Sequence, residues 1–258
     1  MNGYGGGGKI LFPGVADFDS IREHHLKYRF HPTLGLGITN GNLFYEEVSA
    51  LSESGRLNFI INSVLDHQDH LYEIVAGHPI EAHRAGIQTC ERIISKQFNK
   101  KADVTIVSAF PYTEGPQIFK PLAPAGLVTE EGGCILLYAD SKGNLPDQFV
   151  EDLGQYRQRD KKELQQEIQE NFENDRLILP NCPIELNMAG ATALKAQSKF
   201  KVIIVSENIP VEKIEQMGFI YARDLKAAFD ITPRFVPADP EVHVIPSGGV
   251  ILPVVATQ

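Results

Sequence analysis

Apolar positions along the chain fall into two kinds of run that take turns. Four short runs at 104–107, 135–138, 202–205 and 242–245 read as buried strands by their β-branched, apolar character. Helical patterns lie between them: a long amphipathic stretch at 80–98, a charged, Gln-rich one at 148–172, an Ala-rich one at 184–200 and a short one at 211–217. Strands alternating with helices predict an α/β chain with a mainly parallel sheet and helices on both of its faces. Earlier, the runs 59–65 and 71–76 flank Asp66-His67-Gln68-Asp69-His70 and predict a hairpin. Antiparallel pairing there sets the opening part of the chain apart as a different unit. Lys101-Ala102-Asp103 and Glu131-Gly132-Gly133 read as turns feeding strands, and Pro246-Ser247-Gly248-Gly249 as a turn ahead of a last apolar run to Val255.

Composition narrows the class without naming a function. At 258 residues the chain holds one large domain or two modest ones, and 43% hydrophobic with 22% charged residues is ordinary for a globular protein. A net charge of −9 with no basic run argues against nucleic-acid backbone binding as the main task. No apolar stretch reaches the roughly 18 residues a membrane-spanning helix needs. The opening residues lack the basic and apolar regions of a secretory signal. Cys90, Cys134 and Cys182 are far apart and odd in number, which fits a reducing, cytoplasmic setting and small apolar side chains rather than a disulfide framework or zinc site. The Gln/Glu/Lys-rich stretch 155–175 reads as a solvated helix.

The abnormal feature is at the start, where five of the 22 glycines fall in the first eight residues, directly ahead of Lys9. Gly3-Tyr4-Gly5-Gly6-Gly7-Gly8-Lys9 has the spacing of a phosphate-binding P-loop, but Ile10 stands where Ser or Thr must hold magnesium and no strand precedes it. That leaves a flexible leader, or a backbone-rich turn that lets a bulky anionic ligand approach Lys9. His24 and His25 lie on a predicted helix capped by Asp19 or Ser20; adjacent helical residues diverge by about 100°, so at most one of them serves a metal. His67 and His70 share the hairpin turn with Asp66 and Asp69, residue types that suit a divalent metal and equally suit a plain turn. His78, His83 and Arg84 surround a helix start at Pro79, facing either a cleft or their own helix. Beyond the strand at 104–107, the loop 108–120 with Tyr112, Glu114 and Lys120 occupies the place where parallel sheets bind ligands, or is a surface excursion.

Together these segments resemble the nickel-pincer-nucleotide lactate racemases, in their C-terminal portion. The match runs through the glycine-Lys9 string, Phe12-Pro13-Gly14-Val15-Ala16, and His25 sixteen residues after Lys9. It continues through Ala76-Gly77-His78-Pro79-Ile80-Glu81-Ala82-His83-Arg84-Ala85-Gly86, the segment 102–109, and Val242-His243-Val244-Ile245-Pro246-Ser247-Gly248-Gly249. The resemblance implies a pyridinium-3-thioamide-5-thiocarboxylic acid mononucleotide that carries nickel. Lys9 would be its attachment point, Gly6 and Gly7 would make room for it, and His25 would be a nickel ligand. It further implies reversible hydride transfer at the α-carbon of a 2-hydroxy acid, with the family's catalytic histidines falling before Met1, so that no catalytic residue is assigned within the chain. Phe119 and Lys120 occupy the family's substrate positions, with Lys120 standing where glutamine is usual and Ala123 where lysine is usual; lactate itself is therefore not the expected substrate.

The expected division is a partial cofactor-binding domain from 1–88 and 236–258, with a Rossmann-like domain at 89–235. Expected partners are the small 2-hydroxy acid, cofactor-synthesis proteins and an N-terminal half, with no nucleic acid and no membrane. The alternatives are a truncated or split, catalytically inactive binding or partner module, and a nucleotide-binding α/β domain without nickel.

Overall fold

The computed structural model describes residues 3–29, 31–68, 70–141 and 145–256. The chain divides into two compact units, 1–95 and 96–258.

In the first unit, α1 (Phe18–Tyr28) starts where the Asp17 side chain accepts from Ser20 N at 3.0 Å, two or three residues earlier than the expected caps Asp19 and Ser20. Asn42 caps α2 (Leu43–Ser54) in the same way, accepting from Tyr45 N at 3.1 Å. Tyr28 from α1 and Phe44 and Val48 from α2 make a small core, joined by Phe12 and Leu34. The predicted hairpin is present: β1 (Ile60–Leu65) pairs antiparallel with β2 (Leu71–Gly77). Its Val64 and Val75 are buried, and α3 (Pro79–Ile94) lies against them. Gly86 allows this approach, since a Cβ there would sit 3.1 Å from Val75 Cγ2. The helix predicted over 80–98 stops at Ile94, because Ser95 turns extended and opens β3 (Ser95–Phe98).

The second unit is built on five parallel strands in the order β7-β6-β5-β4-β8: β4 (Ala102–Ser108), β5 (Thr129–Tyr138), β6 (Lys201–Val205), β7 (Ile220–Ala222) and β8 (Val242–Ile245). A separate pair joins β3 to β9 (Leu252–Val255). All four runs lie in the parallel sheet, but 242–245, expected to be buried, is its edge strand β8, with Val242 and Val244 exposed. Glu131-Gly132-Gly133, expected as a turn, is instead an irregularity inside β5: Ala102 faces Thr129 while Val104 faces Cys134, and Gly132 takes φ 88°.

Helices in this unit are α4 (Leu122–Val128), α5 (Asp147–Gly154), α6 (Lys161–Glu173), α7 (Ile184–Gln197), α8 (Val211–Gln216) and α9 (Leu225–Ile231). One sheet face, with Val104, Cys134, Leu136, Ile203 and Val205, packs on Ala228 of α9. The helix expected over 148–172 is two, because Asp160 builds a capping box with Glu163 that starts α6 afresh. The tail from 236 onward, expected with the first domain, belongs to the second unit, where β8 runs in register beside β4 from Val104 to Val107.

Candidate functional site

The glycine-rich opening is ordered, folded structure in the first unit and not a loose leader. Residues Gly7–Ile10 form a short 3-10 turn carrying Lys9, and Gly6 and Gly7 hold φ of 74° and 61°. These left-handed angles are costly for any residue with a Cβ. Space also demands glycine: a Cβ on Gly6 would overlap the Asn62 side-chain amide, one on Gly8 the Ser52 hydroxyl, and one on Gly7 would sit 2.6 Å from the His83 ring. Gly5 differs, having nothing within 4 Å of where its Cβ would stand. Gly7 N donates to Asn62 Oδ1 at 3.4 Å, and His83 Nε2 lies 2.6 Å from the Gly5 carbonyl oxygen.

His25, on α1, has Nδ1 2.7 Å from the Ile21 carbonyl oxygen one turn back. A carbonyl only accepts, so Nδ1 carries the proton and a neutral ring leaves its lone pair on Nε2. The pKa of His25 is lowered, first by burial and further by the charge of Lys9, against the opposing pull of the Ile21 bond. His83 is lowered by burial and by Lys9 as well, its bond to Gly5 opposing. One lysine thus acts electrostatically on both histidines.

His24 points elsewhere, as adjacent helical residues must. It is buried among the rings of Phe12, Tyr28 and Phe44, with Nε2 3.5 Å from Glu47 Oε2, and burial pushes its pKa down to about 4. In the hairpin turn, Asp66 Oδ1 accepts from the backbone N of Gln68 and His70 at 2.7 and 3.0 Å, an ordinary turn-forming use. Asp69 lies outside the described residues. Among the described residues, no group of three or more His, Cys, Asp and Glu side chains is placed to hold a metal ion. The cysteines stay protonated: burial raises the pKa of Cys90, and pushes Cys134 to about 12 and Cys182 to about 11.

In the second unit, neighbours β4 and β8 have connections leaving in opposite directions, the place where open parallel sheets take nucleotides. Here the chain fills it. Gly249 N donates to the Phe110 carbonyl at 2.8 Å, a Cβ on Gly248 would lie 2.5 Å from Ser108 O, and one on Gly249 would lie 2.5 Å from Pro111 Cδ. This disfavours the nickel-free nucleotide-binding reading. On the same loop, Lys120 Nζ stands 5.2 Å from the Tyr112 ring centroid, and desolvation lowers its pKa. Phe119, expected at the substrate wall, is instead core: it is 0% exposed and stacks on Phe149 and Phe219 with centroids 5.9 and 5.3 Å away.

Asn62, Tyr45 and Ser52 contribute to the glycine loop and were not singled out from the sequence. Asn62 alone carries a signal there, as a polar residue on the inward alternation between Ile60 and Val64.

Fold and site together define an α/β protein with a five-stranded parallel sheet in one unit and, in the other, a lysine on a glycine turn whose charge acts on a tautomerically fixed histidine. The sequence model of the lactate racemase C-terminal domain matches residues 98–253, and the chain belongs to that family. It is 24% identical over 251 residues to a lactate racemase of Thermoanaerobacterium thermosaccharolyticum, covering 95% of this chain and 57% of that protein. A lactate racemase of Lactiplantibacillus plantarum is 26% identical over 144 residues, covering 54% of this chain and 34% of the other. The fold is similar to the solved lactate racemase apoprotein of T. thermosaccharolyticum, with a TM-score of 0.86 at 23% identity, over 98% of this chain and 60% of that one. A protein from Thermotoga maritima superposes with a TM-score of 0.60 at 15% identity, over 99% of this chain and 64% of that one. The chain therefore spans less than two thirds of the length of each of these relatives. The named relatives are racemases, so the family is one of isomerases.

Proposed function

We propose that this chain is the C-terminal part of a nickel-pincer-dependent racemase or epimerase of a 2-hydroxy acid other than lactate. The observation that carries the proposal is the combination of Lys9, on a turn whose Gly6 and Gly7 take left-handed φ, with His25, which feels the charge of Lys9 and whose Nε2 lone pair is left available by the Nδ1 bond to Ile21.

The residues fit the implied nucleotide. Imidazole suits nickel, and the backbone bond behind His25 is the kind of support that fixes a ligating ring. One histidine without a set of three or more side-chain donors among the described residues fits a metal whose other donors arrive on a bound group. Lys9 would hold that group covalently, and the open side of Gly5 would leave room for its bulk. When bound, the nucleotide supplies a reversible hydride acceptor for the substrate α-carbon.

The chain's own residues bind and orient. His25 directs its Nε2 lone pair, Gly6 and Gly7 keep side chains out of the turn, and Lys120 beside Tyr112 offers a cation to an anionic group of the substrate. Lys120 in place of glutamine and Ala123 in place of lysine support a substrate longer or more acidic than lactate. The proton-transferring histidines fall outside residues 1–258 in this reading. A catalytically inactive binding or partner module is the second reading.

The test is chiral chromatography of a panel of 2-hydroxy mono- and diacids with the chain, co-produced with cofactor-synthesis proteins, alone and together with the polypeptide that corresponds to the relatives' N-terminal portion. Interconversion of a longer or dicarboxylic substrate, with Lys120→Ala raising its KM about tenfold for a lost charge-assisted contact, is the expected result. A preference for lactate that Lys120→Ala leaves untouched would overturn the substrate assignment. No interconversion by any combination would favour the inactive module.

A further inference from the structure

The Lys9 turn is gripped by a histidine that neither the attachment role nor the metal-ligand role uses. His83 stands near the start of α3, 5% exposed, with Nε2 2.6 Å from the Gly5 carbonyl oxygen. Because that oxygen only accepts, Nε2 carries the proton and donates. The other edge of the ring, Cγ and Nδ1, lies 2.6 Å from where a Gly7 Cβ would be. Its face stacks on Tyr45, with centroids 5.8 Å apart and planes 26° apart. The bond to Gly5 and the stack on Tyr45 therefore fix this ring in place, and the bond fixes its tautomer. Across the turn, the Asn62 amide lies against Gly6 and accepts from Gly7 N, so Gly5–Gly7 is held between a strand and a helix. Among the described residues, nothing lies within 4 Å of where a Gly5 side chain would start.

We propose that His83 is the positioning residue of the Lys9 turn: its Nε2–H, by holding the Gly5 carbonyl, keeps the open side of Gly5 clear for a nucleotide-sized ligand and presents Lys9 to it. The inference rests on the reading of Lys9 as the attachment point. His83 acts through the backbone and touches no reacting atom.

The test separates the donated bond from bulk. His83→Phe keeps a ring for Tyr45 and loses the donor; His83→Gln loses the ring and keeps an N–H donor. Cofactor-free protein is followed by hydrogen exchange of the segment 3–11 and by the rate at which N-hydroxysuccinimidyl acetate labels Lys9, both read by mass spectrometry. His83→Phe is expected to speed both by about fivefold or more, as local opening becomes easier, while His83→Gln stays within about twofold of wild type. Wild-type rates in His83→Phe, or equal acceleration in both variants, would overturn the proposal. A further reading needs no variant: the long-range 1H–15N spectrum of the wild type should show His83 as the Nε2–H tautomer, and an Nδ1–H tautomer would overturn the proposal even if His83→Phe fails to fold. Loading by cofactor-synthesis proteins then divides the two ideas. Accelerated exchange in His83→Phe with Lys9 unmodified even in wild type sinks the attachment reading and keeps the clamp. Modified Lys9 in wild type and in an unaccelerated His83→Phe does the reverse.

Discussion

At the scale of single residues, the first unit turns on three histidines that the chain places in three environments. His25 spends its Nδ1 proton on Ile21 and keeps the Nε2 lone pair, His83 spends its proton on Gly5, and His24 is sealed among aromatic rings. The last makes a pH prediction. The pKa of His24 is about 4 in the fold and near 6.5 in the unfolded chain, so the unfolded state binds the proton more readily. Its contribution is complete above about 6.5 and is lost as pH falls from there through about 4, with a ceiling of about 3 kcal/mol. Urea unfolding of the cofactor-free chain should show the midpoint falling across that window, with the fall reduced in His24→Phe. A second prediction concerns Gly7: alanine there meets both a left-handed φ of 61° and the His83 ring, and should cost about 1–3 kcal/mol in the same assay. Gly5→Ala meets open space and should be close to neutral for folding.

Histidine roles were only partly legible in the sequence. The divergence of adjacent helical residues separates His24 from His25, but which of them faces Lys9 came from the family resemblance and not from periodicity. The role of His83 depends on a partner 78 residues away along the chain, a distance over which local pattern says nothing. Phe119 failed for a related reason: an aromatic beside a substrate loop reads the same whether it faces a ligand or, as here, a stack with Phe149 and Phe219.

At the scale of elements, the sheet strands were the most readable feature, because short apolar, β-branched runs mark them whatever the neighbours are; burial was less so, since Val242 and Val244 of β8 are exposed at the sheet edge. Ends were less so. The Asp160 capping box that splits 148–172 into α5 and α6 is visible as Asp-x-x-Glu, yet an uninterrupted charged pattern masks it. The segment between α6 and α7 is held by Asn187, fully buried, which bonds Leu179 N and the carbonyls of Leu179, Cys182 and Pro183 at 2.8 to 3.2 Å. Asn187→Ala strands those backbone groups and should destabilise the fold by about 2–4 kcal/mol, measured by thermal or urea unfolding. The hairpin gives the opposite expectation. Ile61 and Ile74 are 70% and 58% exposed on its outer face, so Ile61→Thr with Ile74→Thr should change stability by no more than about 0.5 kcal/mol for each site. A larger loss would show that this face is covered in solution.

At the scale of the whole molecule, the two units carry different parts of the account, the first with Lys9, His25 and His83, and the second with the parallel sheet and Lys120. Family membership rests on residues 98–253, all within the second unit, whereas the cofactor reading rests on the first. The central claim is therefore best tested where the two kinds of support do not overlap. Intact-mass analysis, peptide mapping and nickel content of the chain co-produced with cofactor-synthesis proteins put it most directly at risk. The account predicts a nucleotide-sized adduct on the Lys9 peptide with nickel in about equal amount, the adduct abolished in Lys9→Arg, and in His25→Ala an adduct that persists while nickel falls severalfold. An unmodified Lys9 in wild type, or nickel retained in full by His25→Ala, would contradict it.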